Sequence, residues 1–165
     1  MNIMRGASPV YDTVASRRPF ITLDATARVL NMSESGSTVV FDRLAGNTLT
    51  LPDNALAGTN FEVIAYKAPT SNSHKIITGL SGSTNAVLVG GVVAGRVSSA
   101  LTTSLQCAEG ATTNRYASVV LNGDTQGGHP GTRLYFHALS SGTWYVSGVM
   151  FGTGAQVSPF STAVS

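Results

Sequence analysis

Charge is what this chain has least of. Lys, Arg, Asp and Glu make up 11% of its 165 residues, against roughly a quarter in an ordinary soluble domain. Ten basic and eight acidic side chains leave a net charge of +2, too little to hold nucleic acid without a concentrated patch, and the basic residues are scattered. Cysteine occurs once, at Cys107, so no internal disulfide can form and no Cys-based zinc pattern can be built. No apolar run reaches the roughly 18 residues of a membrane span, and the N-terminus lacks the apolar stretch of a signal peptide. No membrane partner is expected, and synthesis in the cytoplasm follows, with release only by lysis or as part of a particle. Long amphipathic helices are missing too. Stability must come from packing and from assembly.

Turns and short apolar runs fill the space. Eighteen glycines and six prolines punctuate segments with no helical period, which predicts an all-β chain. "NTLTL" (47–51) alternates as a half-buried strand does and is stopped by Pro52-Asp53. "NFEVIAY" (60–66) has apolar residues on both faces, as a strand between layers would. "TVVFD" (38–42), "HKIITG" (74–79), "RYASVVL" (115–121), "RLYFHA" (133–138) and "TWYVSGVMF" (143–151) continue the style. Strands this dense predict a β-sandwich, jelly-roll-like or related barrel. "AVLVGGVVAG" (86–95) is apolar on both faces, so it is either a covered central strand or a subunit interface. In the second case Val87, Val89, Val92, Val93 and Tyr145 would meet a sister subunit.

The first 19 residues lack a period and read as an extended N-terminal arm ahead of a single β domain over 20–165. Ile3, Met4, Val10, Tyr11 and Phe20 are costly to leave in water, so an arm that docks on a neighbouring chain would use them. The tail after Phe151 looks similar but is shorter and less apolar.

Catalysis needs a nucleophile, a base within reach and an orienting group. His74, His129 and His137 are the available bases, but nothing arranges them: GxSxG, HExxH, GxxxxGK[ST] and GxGxxG are all missing. His137 reads as a half-exposed strand residue, His129 as a solvated loop residue and Cys107 as a small structural residue. Asn122, Asp124 and Gln126 alternate in a Gly-rich loop, a pattern too short for a calcium site and ordinary for a hairpin. Neither a cofactor nor a metal is expected. Trp144 and Tyr145 are neighbours in a strand and must point to opposite faces, so they cannot form one stacking platform for a sugar. Trp144 shares its face with Val146 and Met150 and is expected in the core.

The stretch "GNTLTLPDNALAGTNFEVIAYKAPTSNSHKIITG" (46–79), followed by "GTWYVSG", resembles small virion proteins of tailed phages, above all head decoration (cement) proteins. Tail-fibre and other appendage proteins show similar modules. The resemblance implies a compact β domain that trimerises on the exterior of an icosahedral capsid at three-fold or quasi-three-fold points, bridging major capsid protein subunits. The arm falls outside the matching stretches. Its residues Met4, Arg5, Tyr11, Arg17, Arg18 and Phe20 are expected to touch the shell, the arginines pairing with carboxylates and the aromatics anchoring. The alternative is an appendage domain that binds a cell-surface glycan through loops such as 122–132. A small hydrolase ranks last.

Overall fold

The computed structural model describes residues 18–79, 87–97, 104–108 and 116–163, the third of these as backbone only. Among the described residues the apolar runs become twelve strands. In chain order these are β1 (Phe20–Leu23), β2 (Ala27–Val29), β3 (Thr38–Phe41), β4 (Thr48–Thr50), β5 (Asn60–Ala65), β6 (His74–Ile77), β7 (Val87–Arg96), β8 (Ser104–Ala108), β9 (Ser118–Leu121), β10 (Arg133–Ser140), β11 (Thr143–Gly152) and β12 (Phe160–Ser161). A 3-10 turn over Met32–Glu34 is the one helical piece among them. Among the described residues no helix is long and apolar enough to cross a membrane. The chain is all-β, with a seven-stranded sheet ordered β1-β3-β5-β10-β11-β7-β8 facing a five-stranded sheet ordered β12-β9-β6-β4-β2.

From β1 to β6 the chain alternates between the sheets, winding through three successive coils. β1, β3 and β5 therefore pair in parallel in the large sheet, and β2, β4 and β6 do so in the small one. This half differs from the antiparallel pairing of a jelly roll. The C-terminal half supplies the hairpins. β10 and β11 are joined by Ser141-Gly142, with Gly142 at φ 77° and a bulge between Ala138 and Ser140. β7 then runs parallel to β11 over its full length and turns back as β8.

Alternation decides which side chains fill the space between the sheets. Leu49 and Leu51 are fully buried, as are Trp144, Val146 and Met150, while Tyr145 and Val149 on the other face of β11 are exposed. Phe61 and Val63 from β5, Leu134 and Phe136 from β10, and Val39 and Phe41 from β3 line the same core, closed from the small sheet by Ile76, Val119 and Leu121. The Trp144 and Phe61 rings lie 6.0 Å apart and tilted by 36°.

Two sequence expectations change here. Val92 is no interface residue: it shares the inner face of β7 with Leu88 and Ala94 and is 1% exposed, because alternation sends it to the side opposite Val93. The C-terminal tail is no arm either. Phe160 is buried beside Tyr116, and β12 pairs with β9 at the edge of the small sheet.

Candidate assembly surface

The outer face of the seven-stranded sheet carries the groups that the core leaves over. Register aligns them in rows across the strands. One row runs Asn60, His137, Tyr145, Val89; the next Glu62, Tyr135, Ser147, Gly91; the third Ile64, Arg133, Val149, Val93. The β5 and β10 side is polar. On β11 and β7 the face turns apolar, with Val93 45% and Tyr145 41% exposed and Val87 and Val89 half-buried. Gly90, at φ +117°, lets the Tyr145 ring settle against the strand: a Cβ there would lie 3.0 Å from the ring and 2.2 Å from the Val146 carbonyl oxygen. The strip Val87, Val89, Val93, Tyr145 and Val149 is therefore fixed in place and open on one side. In a protein with so few charges, this apolar strip is the candidate contact surface.

At the polar end Glu62 is 4% exposed. Its carboxylate accepts from the Thr38 hydroxyl at 2.9 Å and from Arg133 Nε, with Arg18 Nη1 a further 3.7 Å from Oε2. Arg133 in turn lies over the Tyr135 ring, 5.2 Å from its centroid. Burial pushes the Glu62 carboxyl up, but the hydrogen bonds from Arg133 and Thr38 outweigh it and hold the pKa below its ordinary value. Arg18 was expected on shell carboxylates; its carboxylate partner is Glu62 of its own chain. Phe20 opens β1 at the sheet edge, 67% exposed and available to a partner. Met4, Arg5, Tyr11 and Arg17 lie outside the described residues.

The histidines do not gather into a site. His74 is fully buried and stacked on Phe41, ring centroids 4.5 Å apart and 12° from parallel. Its Nδ1 accepts the Asn47 backbone N–H at 3.2 Å and its Nε2–H donates to the Lys67 carbonyl at 3.1 Å, so both nitrogens are occupied in the neutral form. Burial pushes its pKa down against the opposing effect of the Lys67 carbonyl. His129 sits half-buried in its loop and His137 is exposed in the row beside Tyr145, so the three lie on different parts of the molecule. Cys107 falls on β8 in register with Gly91.

Both depressed pKa values tie stability to pH with the same sign. The unfolded chain takes up protons more readily than the folded one, at about pH 6.5 for His74 and 4.5 for Glu62, so stability is full above those values and falls below them. Urea midpoints measured from pH 8 to pH 3 are expected to decline in two stages, the first from about pH 6.5. Glu62→Gln should flatten the lower stage. An identical acid limb in the variant and the parent would show that the carboxylate is not held this way.

The loop after β9 spends its polar side chains on itself. Asn122 Oδ1 accepts the backbone N–H groups of Asp124 and Gln126, both at 2.9 Å, and its amide donates to Thr125. Asp124 takes the Thr153 hydroxyl at 2.8 Å, and Gln126 donates to the Ser158 carbonyl at 3.1 Å. The three side chains turn to three different partners rather than to a shared centre. Among the described residues no group of three or more His, Cys, Asp or Glu could hold a metal ion.

Of the residues that sequence reasoning grouped on one surface, Val87, Val89, Val93 and Tyr145 share the outer face and Val92 does not. Sequence reasoning missed Glu62, because a lone acid in an apolar strand gives no sign of the Arg133 and Thr38 that register brings beside it. Comparison of the chain with protein-family models, with curated proteins and with solved structures returned no match.

Proposed function

We propose that this protein is a capsid decoration protein of a tailed phage, with a structural rather than an enzymatic role and no cofactor. It would sit as a homotrimer on the exterior of the head at three-fold or quasi-three-fold positions, bridging neighbouring major capsid subunits. The observation that carries this reading is the ordered apolar strip of β7 and β11, lying on the same sheet face as the root of the N-terminal segment. The resemblance of residues 46–79 to such proteins points the same way. A trimer that engages three equivalent sites gains avidity from individually weak contacts. Closed symmetry also lets an apolar surface be buried without open-ended polymerisation. The glycan-binding alternative loses support because the loop it relied on has committed Asn122, Asp124 and Gln126 to internal hydrogen bonds.

Native mass measurement is expected to give three copies, and the protein should cosediment with undecorated shells. Removing residues 1–19 should abolish cosedimentation. Val93→Glu with Tyr145→Glu should leave a folded monomer, since two charges in a face about to be buried cost more than weak contacts return. A wild-type monomer that ignores shells would end this reading.

A further inference from the structure

Three turns stack at one corner of the parallel coils: residues 24–26 after β1, 42–47 after β3 and 66–73 after β5. A line of hydrogen bonds laces them together. The Asn47 side-chain amide donates to the Ala25 carbonyl and, at 3.5 Å, to the Leu23 carbonyl, which ties the first turn to the second. The Asn47 backbone N–H donates to His74 Nδ1 at 3.2 Å and His74 Nε2–H donates to the Lys67 carbonyl at 3.1 Å, which ties the second to the third. Asn47 and His74 are both buried, and Asn47 Oδ1 has no partner among the described residues. The first coil, β1 with β2 and the turn between them, supplies an edge strand to each sheet. It can therefore leave without breaking any other pairing, as a contiguous unit of local unfolding does.

We propose that His74 and Asn47 form an acid-operated latch on this first coil: protonation of His74 frees β1 and β2 from β3 and β4 while the rest of both sheets stays paired. The neutral ring accepts at Nδ1, whereas an imidazolium donates from both nitrogens. The Asn47 N–H would then face another N–H in a buried place, which costs too much to persist. Two movements relieve it. Either the Asn47 backbone draws away from the ring, or its side chain turns to offer Oδ1. Both take the amide off the carbonyls of Leu23 and Ala25. No charge nearby steadies a proton on the closed ring. Asp42 is spent on Lys67 at 2.6 Å, and β9 presents Leu121 opposite His74. Asp24 is exposed in its turn, Arg43 is half-buried, and Lys75 follows His74 on β6 and so points to the other face. Burial and the Lys67 carbonyl are what move the pKa of the ring, burial winning and pushing it down. With Asn47 displaced the ring edge meets water and takes up a proton near its ordinary pH of 6.5. The coil is thus held above that pH and loosened below it, by about ten-fold per pH unit for one proton. Arg18 does not switch in the same window, because its partner Glu62 has a pKa below 4.5 and stays ionised. The latch does not depend on the capsid reading.

Amide hydrogen exchange on the full-length protein at pH 7.5 and 5.5, corrected for intrinsic exchange rates, tests the latch. Paired amides over residues 21–30, the Leu30 N–H on the Thr50 carbonyl among them, are expected to open about ten-fold more often at pH 5.5. At both pH values they should open more readily than the amides of β10 and β11. A coil that opens equally at the two pH values would overturn the proposal, and so would a coil that exchanges in step with β10 and β11. His74→Gln keeps a donor for the Lys67 carbonyl but takes up no proton, so the pH dependence over residues 21–30 should vanish; its survival would clear His74 of the role. Asn47→Ala cuts the tie without touching the ring. It should open the coil at pH 7.5 while β10 and β11 stay protected, and a coil as protected as in the parent would overturn the latch.

Discussion

Trp144→Ala is expected to remove about 3–5 kcal/mol of unfolding free energy, a large part of what a domain of this kind possesses. Trp144 is fully buried, with its ring 6.0 Å from Phe61, and its strand neighbours in register are Ala138 and Leu88. Neither can swing in to fill the vacated space, because Ala138 is small and Leu88 is itself locked in the core. Among the described residues the indole N–H has no hydrogen-bond partner. The loss therefore comes from packing alone, and Trp144→Phe should cost only about 1–2 kcal/mol. Urea unfolding followed by far-UV circular dichroism separates the two variants. An alanine variant within about 1 kcal/mol of the parent would show that the residue does not anchor the core.

Gly148→Ala is expected to destabilise by about 2–4 kcal/mol although it adds a single methyl group. Gly148 lies in β11 at φ +143°, a conformation that side chains rarely adopt. A Cβ there would lie 2.2 Å from the Arg133 carbonyl oxygen and 3.0 Å from the Leu134 Cα, both backbone atoms of the paired strand. The strand cannot yield without opening the β10–β11 ladder, which holds the inner Phe136 beside Val146 and the outer Arg133 beside Val149. Gly36 is the control. It is also at positive φ, +87°, but nothing lies within 4 Å of its would-be Cβ. Gly36→Ala should therefore cost only the conformational strain, about 1–2 kcal/mol. Equal losses at the two positions, read from thermal or urea unfolding, would refute the collision.

Much of the fold was legible because alternation is a local property. Leu49 with Leu51, and Trp144 with Val146 and Met150, announce their buried face by spacing alone, and the structure places each of them in the core. The same argument separated Tyr145 from Trp144. It could not tell which face of β7 was inward, since "VLVGGVVAG" is apolar at both parities; Val92 was therefore grouped with Val93, though only Val93 faces out. The edge strands β1, β2 and β12 were illegible for another reason. They are two to four residues long, too short to show a period, and they exist because a neighbouring strand offers them an unpaired edge.

The sequence by itself determined the class of this protein: all-β, held without disulfides, poor in charge, its one tryptophan turned inward. Those properties follow from residue type and from a period of two, which any extended chain must obey. Tertiary structure alone decided that β1 to β6 wind in parallel coils, that Glu62 is held by Arg133 and Thr38, and that Tyr145, Val89, Val149 and Val93 gather on one outer face. Each of these depends on which strands become neighbours and in what register. Residues 24 and 71 positions apart come together at Glu62, and such a pairing is chosen by the whole core rather than by any segment of it.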